Sequence, residues 1–246
     1  PRTEAKLRAR IGRTYFHPLA LFEQAEEQQG RALTLQREIL GDDHPDTLES
    51  IGNLAELLIS QTRFSEAEPL LRECLEGQRK TRGSENSDTF SAVGSLGFLL
   101  RIQGRFEEAE KLLRESMEGL RRTLGPGNGQ ALNALNNLGT LFLDQGRFNE
   151  AEMLINDVLL KKYEGLATNP PLHALLLFTL SKALTGQGRH SEADPHLRDA
   201  IEKQSSAFGT EHPHTLHSMS LLGEVRWRSG DRVEAKHFLR QALEGT

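Results

Sequence analysis

The chain of 246 residues holds a single cysteine, Cys74, which excludes an internal disulfide framework and fits a reducing, cytoplasmic setting. It also lacks any run of about eighteen apolar residues and any charged, hydrophobic, small-residue leader, so neither a membrane span nor an export signal is read. An excess of one charge is missing as well. Thirty basic residues stand against thirty-five acidic ones, a net charge of −5 spread along the chain. With no basic stripe, nucleic acid and anionic membranes are poor partners. A glycine-rich phosphate loop, a Gly-x-Ser-x-Gly elbow and zinc-type cysteine pairs are all absent. No catalytic residue, cofactor or metal is therefore assigned, and the chain is not expected to be an enzyme. Because it opens at Pro1 and stops inside a helical pattern, we expect it to be a piece of a longer protein.

What is present is a period. "GDDHPDT" runs from Gly41 to Thr47, and "GTEHPHT" from Gly209 to Thr215, 168 residues later, which is four steps of 42. Steps of 42 from Ala67 reach Ala109, Ala151, Ala193 and Ala235, and from Leu54 they reach Leu96, Leu138, Leu180 and Leu222. Each unit decodes as two helices. In the third, Leu132, Leu135, Leu138, Leu141 and Phe142 keep the three-and-four spacing of one helical face. Gly146 then supplies a helix stop. Asn149 with Glu152, Ser65 with Glu68 and Ser191 with Asp194 read as capping boxes opening the second helices, with Pro69 and Pro195 in the first turn. The recurring small residues suit antiparallel helices whose axes cross closely. Such a fold is all-α, a superhelical solenoid of antiparallel helix pairs, because a single pair cannot bury its own apolar face.

The stretches "NLAELLISQTRFSEAEPLLRECL", "SLGFLLRIQGRFEEAEKLLRESM" and "NLGTLFLDQGRFNEAEMLINDVL" resemble the tetratricopeptide repeat. The period of 42 and the "LGDDHPDTLES" linker resemble the kinesin-light-chain type in particular. The units are 41–82, 83–124, 125–166, 167–208 and 209–246, preceded by a degenerate repeat over 1–40. In that repeat Gln24-Ala25-Glu26 matches Glu66-Ala67-Glu68, while the first helix needs one inserted residue near Phe16 to Leu19 and is expected to end early at Pro18. In the last repeat Arg226 stands where Leu58, Leu100, Phe142 and Leu184 are apolar, and Asp231-Arg232 replaces Arg-Phe. Either a solvated terminal repeat or a contact with a missing neighbour accounts for that change.

The resemblance implies a non-catalytic interaction scaffold whose first helices line a groove for an extended peptide, with asparagines holding the ligand backbone. The matching asparagines are Asn53, Asn136 and Asn137. Inward positions add Glu56, Phe98, Arg101, Asn133, Thr140, Phe178, Lys182, His217, Glu224, Trp227 and Arg228. Arg101, Lys182 and Arg228 suit carboxylates, and Phe98, Phe178 and Trp227 suit apolar anchors, so the expected ligand is an acidic peptide with an aromatic side chain. The solenoid ends offer a second route, self-association. Rival readings are a regulatory sensor module of a kinase or NTPase and a substrate-docking accessory domain of an enzyme. Replacing Asn136 and Asn137 by alanine is expected to leave melting unchanged while weakening binding.

Two further features have plain structural readings. Cys74 shares its place with Ser116, Val158, Ala200 and Ala242, a small-residue face, and reads as buried filler. His44 and His212 fall where Asn86, Asn128 and Pro170 stand in other units, so the "HP" pairs mark the start of a repeat. His214 and His217 lie three apart, but no metal-type spacing accompanies them.

Overall fold

The computed structural model describes residues 3–9 and 22–245. The expected insertion near Phe16 to Leu19 and the helix end at Pro18 lie outside the described residues. Residues 3–9 form α1 and Phe22–Leu40 form α2. Then come α3 (Pro45–Ser60), α4 (Phe64–Arg82), α5 (Ser87–Ile102) and α6 (Phe106–Leu124). They are followed by α7 (Gly129–Asp144), α8 (Phe148–Lys161), the single turn α9 (Glu164–Ala167), α10 (Pro170–Gly186), α11 (His190–Phe208), α12 (Pro213–Arg228) and α13 (Arg232–Glu244). Among the described residues there is no strand. The all-α expectation of sequentially packed helix pairs is met.

The chain falls into two compact units, Pro1–Thr123 and Leu124–Thr246. In the first, α3 packs on α2 and α4, and α4 packs on α5. In the second, α10 packs on α7, α8 and α11, and α12 packs on α11 and α13. Small residues set these approaches. Ala67, Ala109, Ala151, Ala193 and Ala235 are each 0% exposed. A Cβ added to Gly97 would sit 3.0 Å from Leu113 Cγ, and one added to Gly223 would sit 2.7 Å from Leu239 Cγ. Around these crossings Leu57, Leu99, Leu138, Leu141, Leu176 and Leu180 are fully buried, each contributing roughly 1.5–3 kcal/mol of apolar transfer.

First helices start on a polar cap, as the register implies. The Nδ1 of His44 accepts the Asp46 N–H at 3.1 Å, and the Nδ1 of His212 accepts the His214 N–H at 3.3 Å. Asn86 and Asn128 do the same with their Oδ1 at 2.9 and 2.8 Å. Both "HP" histidines thus serve as side-chain caps of their helices. The fourth unit departs from the count in 42s. There Asn169 is the cap, accepting from Leu172 N–H at 3.2 Å, and Pro170 is the first helical residue. The cause lies upstream. Gly41, Gly83, Gly125 and Gly209 leave their linkers at φ 85 to 96°, but Ala167 occupies that place in the fourth unit and disfavours it. The chain instead turns at Lys162, with φ 46°, so α8 stops after 14 residues and α9 makes the connection. Only glycine fits at 165, since a Cβ there would lie 2.0 Å from the Gly127 carbonyl oxygen.

The second helices correct the sequence reading. They begin at Phe64, Phe106, Phe148 and His190, ahead of the expected caps at Ser65, Asn149 and Ser191. Arg63, Arg147 and Arg189 hold the cap position without any side-chain cap bond. Pro69 and Pro195 consequently lie inside their helices, two residues deeper than expected, where each removes one i→i−4 bond. Glu152 and Asp194 do not close capping boxes. They receive charge from the next helix pair, as described below.

Ala109→Leu should force α6 away from its neighbours and lower stability by about 1–3 kcal/mol. Denaturant unfolding followed by circular dichroism reads the loss, and an unchanged midpoint would show that the crossing has slack.

Candidate functional site

The expected ligand-facing residues are best described unit by unit. In the first unit Asn53 is half-buried and Glu56 exposed, both on α3. On α5, half-buried Arg101 places its guanidinium carbon 5.1 Å from the centroid of the Phe98 ring, a cation–π contact.

In the second unit three first helices contribute a row. Asn133 on α7 is exposed and Asn137 half-buried, while Thr140 donates to the Asn136 carbonyl at 2.9 Å. On α10, the Lys182 ammonium lies 6.0 Å from the Phe178 ring centroid. The Phe178 ring is in turn 5.8 Å from the exposed His217 of α12. Lys182 is exposed and has no ion-pair partner among the described residues. Asn137, Phe178, Lys182 and His217 thus form a surface with amide, aromatic and cationic character.

Four expected residues behave otherwise. Asn136 is 5% exposed, and its Oδ1 accepts a hydrogen bond from Thr179 Oγ1 of α10 at 2.7 Å. Its side-chain oxygen ties α7 to α10 instead of pointing to a ligand. Arg228 forms an ion pair with Glu224 at 2.7 Å, one helical turn away, so each neutralises the other. Trp227 is 56% exposed and turns toward α13, where the Arg232 guanidinium carbon stands 5.4 Å from its ring centroid.

Sequence reasoning missed the most regular polar feature of the molecule. Arg63 donates through Nε and Nη2 to both carboxylate oxygens of Glu66 at 2.7 Å, and through Nη1 to Glu26 at 2.7 Å. Gln61 accepts from the same Nη1 at 2.9 Å and donates to Glu26 at 3.3 Å. Arg105 repeats the arrangement with Glu108, Glu68 and Gln103, as does Arg189 with Glu192, Glu152 and Gln187. Each clamp joins one helix pair to the next. Hydrogen bonds from Glu66 first, then Glu26, push the Arg63 pKa further above its already high ordinary value. Arg72 first, followed by Arg105, holds the Glu68 carboxyl below the usual carboxylate range. The sequence signal for it is the recurring Gln-x-Arg at 61–63, 103–105 and 187–189.

The last joint swaps its parts. Asp231 replaces the arginine and caps α13, accepting from Glu234 N–H at 3.1 Å. Arg226 supplies the missing guanidinium, its Nε 2.6 Å from Asp194 and 2.9 Å from Glu234. The polar residue at 226 therefore completes a joint inside the chain, and neither reading offered for it from the sequence is needed.

Cys74 is buried, donates to the Leu48 carbonyl at 3.4 Å, and has its thiol pKa pushed up to about 11 by burial, as expected of filler. Among the described residues no group of three or more His, Cys, Asp or Glu could hold a metal ion, and no helix is long and apolar enough to cross a membrane.

A family model described as tetratricopeptide repeat matches residues 3–80, 88–159 and 172–246. The chain belongs to that family, in its kinesin-light-chain type. Domains of this family are generally protein-interaction modules. Among solved structures it is similar to BtubC (BKLC) from P. vanneervenii, at 19% identity and a TM-score of 0.72, over 91% of this chain and 90% of that one. It is also similar to a putative kinesin light chain of Podosopora anserina with TPR-like repeats, at 20% identity and a TM-score of 0.53, over 100% and 96%. A third is pilF of Pseudomonas aeruginosa, at 18% identity and a TM-score of 0.63, over 99% and 92%. These likenesses show the fold. No curated protein matches the chain in sequence.

Two outcomes follow from the buried groups. Asn136→Ala should cost about 1 kcal/mol by removing the hydrogen bond that ties α7 to α10, the Thr179 hydroxyl keeping the Leu175 carbonyl at 3.1 Å as its acceptor, whereas Asn137→Ala should stay within about 0.5 kcal/mol. This replaces the expectation that both changes leave melting untouched, and thermal melts of the two single variants separate the cases. His173 on α10 has its pKa lowered, by burial first and then by Lys203. The folded chain thus binds fewer protons there than the unfolded chain, so this residue subtracts stability as pH falls below about 6.5. His173→Gln should accordingly show a smaller drop in melting temperature from pH 7.5 to 5.5 than the unaltered chain; an equal drop would place the effect elsewhere.

Proposed function

We propose that the chain is a non-catalytic scaffold whose first helices hold an extended segment of a protein partner, acidic and carrying an aromatic side chain. One observation carries this reading: the row of Phe178, Lys182 and His217 across α10 and α12, in which an exposed ammonium without an ion-pair partner stands beside an accessible aromatic face. Many guanidinium groups of the chain are already committed to carboxylates, whereas Lys182 has no ion-pair partner among the described residues and is left to meet one from outside. A partner carboxylate would meet Lys182, its aromatic ring would stack on Phe178, and the Asn137 amide would engage its backbone. Cytoplasmic action is part of this reading, supported by the single cysteine kept as a buried thiol.

Lys182→Glu combined with Asn137→Ala should weaken capture of the partner by about tenfold or more, equivalent to about 1.4 kcal/mol, at unchanged melting temperature. The comparison is made by pull-down with the intact polypeptide, followed by titration of the recovered partner. Binding that survives both changes would remove the first-helix row from the account.

A further inference from the structure

Within the two units, four joints obey one rule of charge. The acceptors Glu26, Glu68, Glu152 and Asp194 each receive a guanidinium from the next helix pair: Arg63, Arg105, Arg189 and Arg226. The residue in the corresponding place on α13, 42 positions after Asp194, is Lys236. The sign of the acceptor is reversed. One turn to either side stand Arg232 and Arg240, and all three cations are exposed, with no ion pair among the described residues.

Among the described residues nothing covers the apolar half of the same face. Leu71, Leu113, Ile155 and Leu197 are at most 3% exposed, but Leu239, their counterpart, is half-buried. Leu243 is 76% and Trp227 56% exposed. Together with the three cations these side chains line a cleft of about 390 Å³.

The shape of what fits is given by the joint before it. There the matching face of α11 is covered by helices: Asp194 and Arg198 pair with Arg226 and Glu234, and Ile201 packs on Leu216, Met219 and Ala242. We propose that the α13 face docks an acidic amphipathic helix of a partner protein. Its apolar stripe seats on Trp227 and Leu239, and its carboxylates meet Arg232, Lys236 and Arg240. A helix pair carrying the Gln-x-Arg signature of this chain, including that of a second copy, would set a guanidinium against Lys236 and be repelled. This surface is separate from the Lys182 row, so either reading stands without the other.

Trp227 is the only tryptophan, so its emission reports on this face. The chain is titrated with two synthetic helical peptides that share a leucine stripe and carry either glutamate or lysine at all other positions. The glutamate peptide should shift the emission to the blue in a saturable way that weakens with added salt, and the lysine peptide should not. Lys236→Glu with Arg240→Glu should weaken the response at least about tenfold, and Lys236→Gln alone should weaken it partially, both with unchanged melting because these side chains are exposed. Lys182→Glu with Asn137→Ala should leave it intact, which keeps failure of the first-helix reading distinguishable from failure of this one. The proposal is overturned by equal responses to the two peptides, by no response to the glutamate peptide, or by a response that persists in the double variant. An equal response to oligothymidylate would reduce the face to a general polyanion site, and concentration-dependent dimers that shift the emission without peptide would assign it to self-association. Either result also overturns the proposal.

Discussion

Everything in this molecule depends on two helices coming close enough to bury an alanine completely. Ala67, Ala109, Ala151, Ala193 and Ala235 have no exposed surface, and Gly97, Gly139 and Gly223 meet Leu113, Ile155 and Leu239 of the second helices with little or no room for a side chain. That closeness brings the leucines of first and second helices into one layer, where dispersion and water exclusion supply most of the stability. It also fixes rotation. A helix held at its alanine has one face committed to its partner, and its remaining faces are distributed between the next pair and solvent by the 3.6-residue period. The polar features follow from that division.

The guanidinium clamps sit on the face turned to the next pair. They are about one-third exposed, so each contributes modestly to stability. Their contribution is to the choice of neighbour. A fork of five donors, two directed to Glu66 and others to Glu26 and Gln61, is satisfied in one register of one helix pair against another. Arginine at the start of a helix is an unfavourable place for a cation, because the helix dipole is positive there. The bidentate glutamate three residues on, which itself favours that end, offsets this cost and lets the same charge reach backward.

That tension explains what could be read from the sequence and what could not. The 42-residue period, the helix pairs, the alanine row and the caps at His44, Asn86, Asn128 and His212 were legible, because each rests on local chemistry repeated at fixed intervals. The second-helix starts were not. Ser65 and Ser191 are good caps by type, yet Arg63 and Arg189 prevail because their partners Glu26 and Glu152 lie in another repeat, invisible to a local rule. Asn136 was misjudged for the same reason: its partner, Thr179, is 43 residues away. Ala167 was visible as an exception to the glycine row, but its consequence, an α8 shortened to 14 residues, required knowing that the φ near 90° was essential to the linker. The register also carries Phe178, Lys182 and His217 on first helices, while the pairing of Arg228 with Glu224 depended on side-chain conformation.

The swap at the last joint shows which part of the rule is strict. Moving the guanidinium from position 231 to position 226 changes the helix that supplies it, the depth from which it reaches and the residue that caps α13. It leaves the sign unchanged, because Asp194 and Glu234 remain where Glu152 and Glu192 stand one repeat earlier, and two carboxylates facing each other without a cation would repel. Position is therefore negotiable at a joint and polarity is not. A lysine at 236, flanked by two arginines, lies outside that tolerance: no rearrangement of the arginine-bearing turn makes like charges attract. The face that begins there is electrostatically distinct from the four joints described within the units, and its complement must carry the carboxylates that those joints keep on the other side.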